Sequence, residues 1–219
     1  ATGLPAPGAI VESDQTVDHK FQFAPDYKTN NVFLVDTNIP GVTLSLTVPA
    51  AFARLSFLVC GANGPGPLQY TVRHQSGATQ SGSFTCPDWY FGPGPARTAF
   101  GRVDVKLFLF DSVSTPLPSV FARDISLTNT GSPVVSVDFT FSGSAGEIAV
   151  FALSGSTNLA DDFLPISIKG YNADLIIEAT ATQRGQIIGA TTATIDSGAA
   201  NTGNTWYERS YYPPLMTSG

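Results

Sequence analysis

Charge is what this sequence has least of. Asp, Glu, Lys and Arg make up 13% of its 219 residues, about half the usual share of a soluble domain. Lysine and glutamate occur four times each, which excludes the charged heptads of a coiled coil. A net charge of −6 with eleven Lys and Arg offers no basic footprint, so no nucleic-acid partner is expected. No run approaches the ~20 apolar residues that cross a bilayer as a helix, so no transmembrane segment is expected. Disorder is excluded from the other side, since 42% of residues are hydrophobic. The two histidines, His19 and His74, have no Gly-x-Ser-x-Gly elbow beside them and no evident partner in sequence, which leaves nothing to build a nucleophile relay. His19 lies in a polar strand or loop, and His74 is expected on a polar surface. No Cys/His spacing suits zinc, and no cofactor is expected.

What the sequence has in abundance is small hydroxyl residues, 23 Thr and 20 Ser, together with 15 Phe, 21 Gly and 16 Pro. Short apolar or alternating runs recur between turn residues. Residues 42–48 place Val42, Leu44, Leu46 and Val48 on one face against Thr43, Ser45 and Thr47. Residues 135–141 alternate Val135, Val137, Phe139 and Phe141 with Ser136, Asp138 and Thr140. Strands are also expected over 32–35, 54–60, 69–74, 81–85, 103–110, 124–128 and 147–153. One helical turn is allowed over 119–123. This pattern predicts an all-β protein, an antiparallel, jelly-roll-like β-sandwich over residues 1–153. A polar linker follows over 154–163. Residues 164–219 supply two or three more strands, too few for a core of their own, so this C-terminal extension docks on the domain or on a neighbouring subunit.

The N-terminus has neither a basic nor an apolar leader region and reads as a mature end. Cys60 and Cys86 are expected to form a disulfide in an oxidising compartment. In a simple meander they would straddle a strand, so the bond needs curling or two different sheets. A structural calcium is allowed for near Asp14 and Asp18 or near Asp161 and Asp162, although neither pair matches an EF-hand loop.

Three segments, residues 27–34, 86–90 and 169–178, together resemble a jelly-roll-like module that recurs in secreted and cell-surface proteins of environmental bacteria, often beside carbohydrate-active domains. The resemblance covers most of the chain. It implies an extracellular location. The order departs from the module's pattern: the Gly170-Tyr171-Asn172-Ala173-Asp174 segment, which opens the module, here follows the rest. Either the chain closes on itself as a permuted domain, or its C-terminal strands complete a neighbour.

The expected function is therefore a non-enzymatic extracellular structural protein that associates with its own copies, as a filament or pilus-like subunit built by β-strand donation. Ile166, Ile168, Leu175 and Ile177 would plug the acceptor groove, with Tyr171 at the interface. Trp206, Tyr207, Tyr211 and Tyr212 would lock the joint. The alternative is a carbohydrate-binding module of a larger secreted bacterial protein, with Trp89 and Tyr90 stacking on the glycan.

Overall fold

The computed structural model describes residues 7–16, 18–27, 29–62, 64–89, 92–98, 101–104, 109–111, 119–159, 162–173, 176–177, 186–188, 194–196 and 205–207. No helix occurs among them. The chain begins with β1 (Ile10–Glu12) and β2 (Lys20–Gln22), then β3 (Phe33–Asp36), β4 (Gly41–Ala50), β5 (Arg54–Ala62), β6 (Gly66–His74) and β7 (Thr79–Cys86). It continues through β8 (Arg97–Thr98), β9 (Gly101–Asp104), β10 (Leu109–Asp111), β11 (Ser119–Ser126), β12 (Val134–Phe141) and β13 (Glu147–Ser156). It closes with β14 (Leu164–Ile166), β15 (Ile168–Lys169), β16 (Ile176–Ile177), β17 (Gln186–Ile188), β18 (Thr194–Asp196) and β19 (Thr205–Tyr207).

Two antiparallel sheets make the sandwich. One runs β14-β13-β5-β11-β8, with β3 also paired to β13; the other runs β15-β4-β12-β6-β7. Aromatic side chains join them: the Phe57 ring of β5 lies 5.4 Å from Phe139 of β12, edge to face, and 5.8 Å from Phe84 of β7. Such pairs add to the burial that holds the layers together. The all-β sandwich expected from the alternating runs is thus the observed fold.

Several local patterns differ from the simple alternation. In β12 the pairing to both neighbours shifts between Val134 and Ser136. This irregularity turns Val134 into the core and leaves Val135 half-buried. The same shift leaves residues 46–49 of β4 without matched partners on β12, and Val48 points outward, 72% exposed. Residues 119–123 belong to β11 and not to a helical turn, because they ladder onto β5 and β8. The run 103–110 is not one strand: β9 and β10 pair with each other antiparallel, Leu109 opposite Asp104.

Strand β13 is buried along its whole length. Its inner face meets the second sheet, and its other face is covered by the β1–β2 hairpin. The Phe23 and Phe151 rings are 6.3 Å apart, and the Ser154 hydroxyl donates to the Lys20 carbonyl. The sandwich therefore does not stop at residue 153, and residues 154–156 are strand rather than linker. Gly155 is needed there, since a Cβ would fall 2.5 Å from Phe52 and 2.8 Å from Ile166. Strand β13 ends at Ser156, and the chain re-enters the sandwich at Phe163, which is fully buried.

Candidate functional site

Ile166, Ile168 and Tyr171, expected to act between subunits, are seated within the same chain. After Phe163, β14 pairs with β13, with Leu153 opposite Ile166. One residue later the chain changes sheets, and β15 pairs with β4, Ile168 opposite Leu46. A single short segment thus supplies the outermost strand of both sheets at one edge of the sandwich. Gly170 follows at φ +102°, a conformation that L side chains avoid. A Cβ there would stand 2.9 Å from the Thr43 carbonyl. The turn delivers Tyr171 onto Phe33, ring centroids 4.8 Å apart. Burial pushes the Tyr171 hydroxyl up to about 12. Asn172 and Ala173 then close the free side of β3 through backbone bonds to Asn31 and Val32. Beneath the segment lies a cavity of about 180 Å³ between Phe23, Pro25, Thr47 and Ile166. On its outer side a shallow groove of about 590 Å³ runs past Thr29, Asn30, Lys169 and Tyr171.

At the entrance of this segment is a cluster that sequence reading left without partners. His19 is 4% exposed. Its Nδ1 stands 2.7 Å from Asp18 Oδ1, and its Nε2 stands 3.0 and 3.1 Å from the two oxygens of Asp124 on β11. Carboxylates only accept hydrogen bonds, so both ring nitrogens must donate, which makes the ring an imidazolium. Burial opposes that charge, but the hydrogen bonds and negative charges of Asp124 and Asp18 outweigh it and raise the His19 pKa. Burial likewise works against an ionised Asp124. The hydrogen bonds from His19 and Ser56, with the charges of His19 and Arg54, nevertheless hold its pKa down. The Ser56 hydroxyl donates to Asp124 at 2.6 Å. The serine therefore addresses the carboxylate and not the imidazole, an order that forms an ion-pair clamp rather than a nucleophile and its base.

The clamp bears on Phe163. The His19 ring stacks on the Phe163 ring at 4.1 Å, and the Arg54 guanidinium lies 4.4 Å from the centre of the same ring. The Phe163 amide donates to the Asp18 carbonyl at 2.7 Å, and the Phe163 carbonyl accepts from the Lys20 amide at 3.1 Å. A cavity of about 290 Å³ opens beside the clamp, bounded by Gln15, Thr16, Pro95 and Arg123. His19 was invisible as a site because Asp124 lies 105 residues away in the chain; only the neighbouring Asp18 could have been read from sequence.

Other expectations are corrected. Cys60 and Cys86 are free thiols, so the disulfide is absent. They do lie on different sheets, on β5 and at the end of β7, and the chain after Cys86 crosses to β5, where Gly61 donates to the Pro87 carbonyl. Both are packed as small apolar groups. Burial, then the charge of Cys86, raises the Cys60 pKa, and burial pushes Cys86 up to about 12, so neither offers the thiolate that disulfide chemistry needs. Trp89 is 5% exposed and packs in the core, its amide on the Gly61 carbonyl and its carbonyl on Ser119, so its ring has no face for a glycan. Tyr90 lies outside the described residues, as do Leu175, Tyr211, Tyr212 and Asp161. His74 is buried rather than at the surface, with Nδ1 2.9 Å from the Ser132 carbonyl. Asp14 accepts from the Thr98 amide and Asp18 pairs with His19, so they do not form a joint oxygen site. Among the described residues no group of three His, Cys, Asp or Glu stands together for a metal. Ile177 lies in β16, which pairs with β17, and Trp206 and Tyr207 lie in β19, parallel to β9.

No family model matches the chain, and no curated protein matches it.

Proposed function

We propose that this protein is a non-enzymatic extracellular structural protein whose copies associate by exchanging residues 163–173, each copy filling the edge groove of the next. The observation that carries this reading is the double role of that segment, which completes both sheets at one edge and is joined to the rest through the connection at 157–162. Contacts made in cis are equally available in trans, so exchange costs little beyond the entropy of association. If the donor of each copy goes forward and the acceptor faces back, the contact need not close, and filaments follow. The opposite edge is also open to its own kind: β7 carries no charged residue over Thr79–Cys86 and so has little of the protection that Lys gives an edge. The extracellular setting rests on the resemblance of residues 27–34, 86–90 and 169–178 to a secreted bacterial module.

The experiment is to shorten the stretch of chain between β13 and Phe163. Deleting residues 157–162 leaves only Ser156 and Phe163 between the paired Gly155 and Leu164. Phe163 then cannot hold its place against His19 while the hairpin closes in cis. Light scattering after size exclusion should find dimers or longer species, and negative-stain microscopy should find regular assemblies at high concentration. A folded monomer with native thermal stability would contradict the reading.

A further inference from the structure

We propose that His19, gripped between Asp18 and Asp124, is a pH-operated latch on Phe163 that controls release of the closing segment 163–173. The latch acts within one chain, and its consequence for assembly rests on the exchange reading above.

The argument is geometric first. The imidazolium joins the hairpin, β11 and the first residue of the closing segment through two carboxylates and one stacked ring. The two carboxylate contacts are satisfied together only while both ring nitrogens carry a proton. A neutral imidazole has a single N–H, so one nitrogen of this buried ring would turn a lone pair toward a carboxylate at 3.0 Å or less. The ring must then tilt or withdraw, and Phe163 loses its stacking partner. The backbone bonds that Phe163 makes to Asp18 and Lys20 flank the same ring, so they loosen with it.

The other charges around the ring set the direction. Arg54 lies over Phe163 and draws on Asp124, and Arg123 borders the adjacent cavity. Lys20 is taken up by Glu12 at 3.5 Å on the hairpin, and Asp14 by the Thr98 amide. The two carboxylates in contact with the ring outweigh these, and the His19 pKa lies above its ordinary 6.5. The latch is therefore closed in mild acid and opens as pH rises through the folded-state value. Acid opens it again only when Asp124 takes a proton, below the ordinary 3.8.

The test is amide hydrogen exchange on the full chain between pH 5 and pH 8.5, expressed as protection factors so that intrinsic exchange is removed. Protection of the Phe163 and Lys20 amides should fall about tenfold across that range, the difference between a charged and a neutral hydrogen bond. The Phe139 amide of β12 should stay unchanged. His19→Gln should give the low protection at every pH. Constant protection in the unaltered protein, or the same pH profile in His19→Gln, would overturn the latch. Should His19→Gln fail to fold, the imidazole resonances decide: a His19 that titrates below 6.5 overturns the proposal, and one that titrates above supports it. Sizing at both pH values separates the two readings. Loss of protection in a chain that stays monomeric keeps the latch and removes exchange. Association with constant protection keeps exchange and removes the latch.

Discussion

The Asn172 side chain bonds the backbone of Leu34 at both ends, its Oδ1 accepting from the Leu34 amide at 2.8 Å and its Nδ2 donating to the Leu34 carbonyl at 2.9 Å. One amide side chain thus stands in for a strand along the edge of β3. Leu34 is 3% exposed, so water does not easily replace these bonds. Asn172→Ala leaves a buried donor and acceptor unmet and should cost about 2–4 kcal/mol, at ~1–2 for each group. Asn172→Asp keeps the acceptor and should fall between. Urea denaturation checks this, and a loss below about 0.5 kcal/mol for the alanine variant would show that the segment beyond Gly170 does not hold β3.

The two glycines of the closing region should be intolerant of any side chain. Gly170→Ala forces a Cβ into a φ of +102° and to 2.9 Å from the Thr43 carbonyl. Strain of about 1–3 kcal/mol is expected. Gly155→Ala instead presses on Phe52 and Ile166 at 2.5 and 2.8 Å, a packing fault of about 1–3 kcal/mol. Thermal unfolding should show both, whereas Gly77→Ala should show strain alone, because its added Cβ meets nothing within 4 Å.

The thiols should be silent in the folded protein. Cys60 and Cys86 are both buried and both shifted upward, Cys86 to about 12. A thiol-specific disulfide reagent at pH 8 should therefore label neither in the native state and both in 6 M guanidinium. Rapid labelling of the native protein would contradict the packing of residues 86–89 against β5.

Global stability should pass through a maximum with pH. His19 is raised above 6.5, so its contribution is complete below 6.5 and is lost as pH rises through the folded-state value. Asp124 is lowered below 3.8, so its contribution is complete above 3.8 and is lost as pH falls through its folded-state value. The urea midpoint should be highest between those limits and decline on either side. Asp124→Asn should remove most of both slopes, and an unchanged profile in that variant would contradict the clamp.

Much of the sandwich was legible in the sequence because period-two alternation is a local property. Leu44 and Leu46 in β4, and Val137, Phe139 and Phe141 in β12, face the core as read. The errors arise where a non-local contact overrides the local pattern. Val48 is apolar but stands where β4 has lost its matched partner. Ser154, Gly155 and Ser156 look like a linker, yet each fits a buried strand: the two hydroxyls bond carbonyls, and the glycine makes room for Phe52. The clamp was illegible for the same reason, since His19, Ser56, Asp124 and Phe163 meet only after four distant segments have packed. Trp89 shows the converse, an aromatic in a Pro/Gly-rich stretch that reads as exposed and is held in the core by backbone bonds to Gly61 and Ser119.

The most direct test of strand exchange uses a pair of cysteines across the closing joint. Ser45 and Lys169 are directly opposed between β4 and β15. Ser45→Cys with Lys169→Cys in one chain should permit a disulfide between these strands, while Cys60 and Cys86 stay buried. The protein is allowed to associate at pH 8, oxidised, and run on a denaturing non-reducing gel. Exchange predicts a ladder of covalent dimers and higher species that collapses to monomer on reduction. A disulfide formed only within single chains, in a sample that has associated, would contradict it.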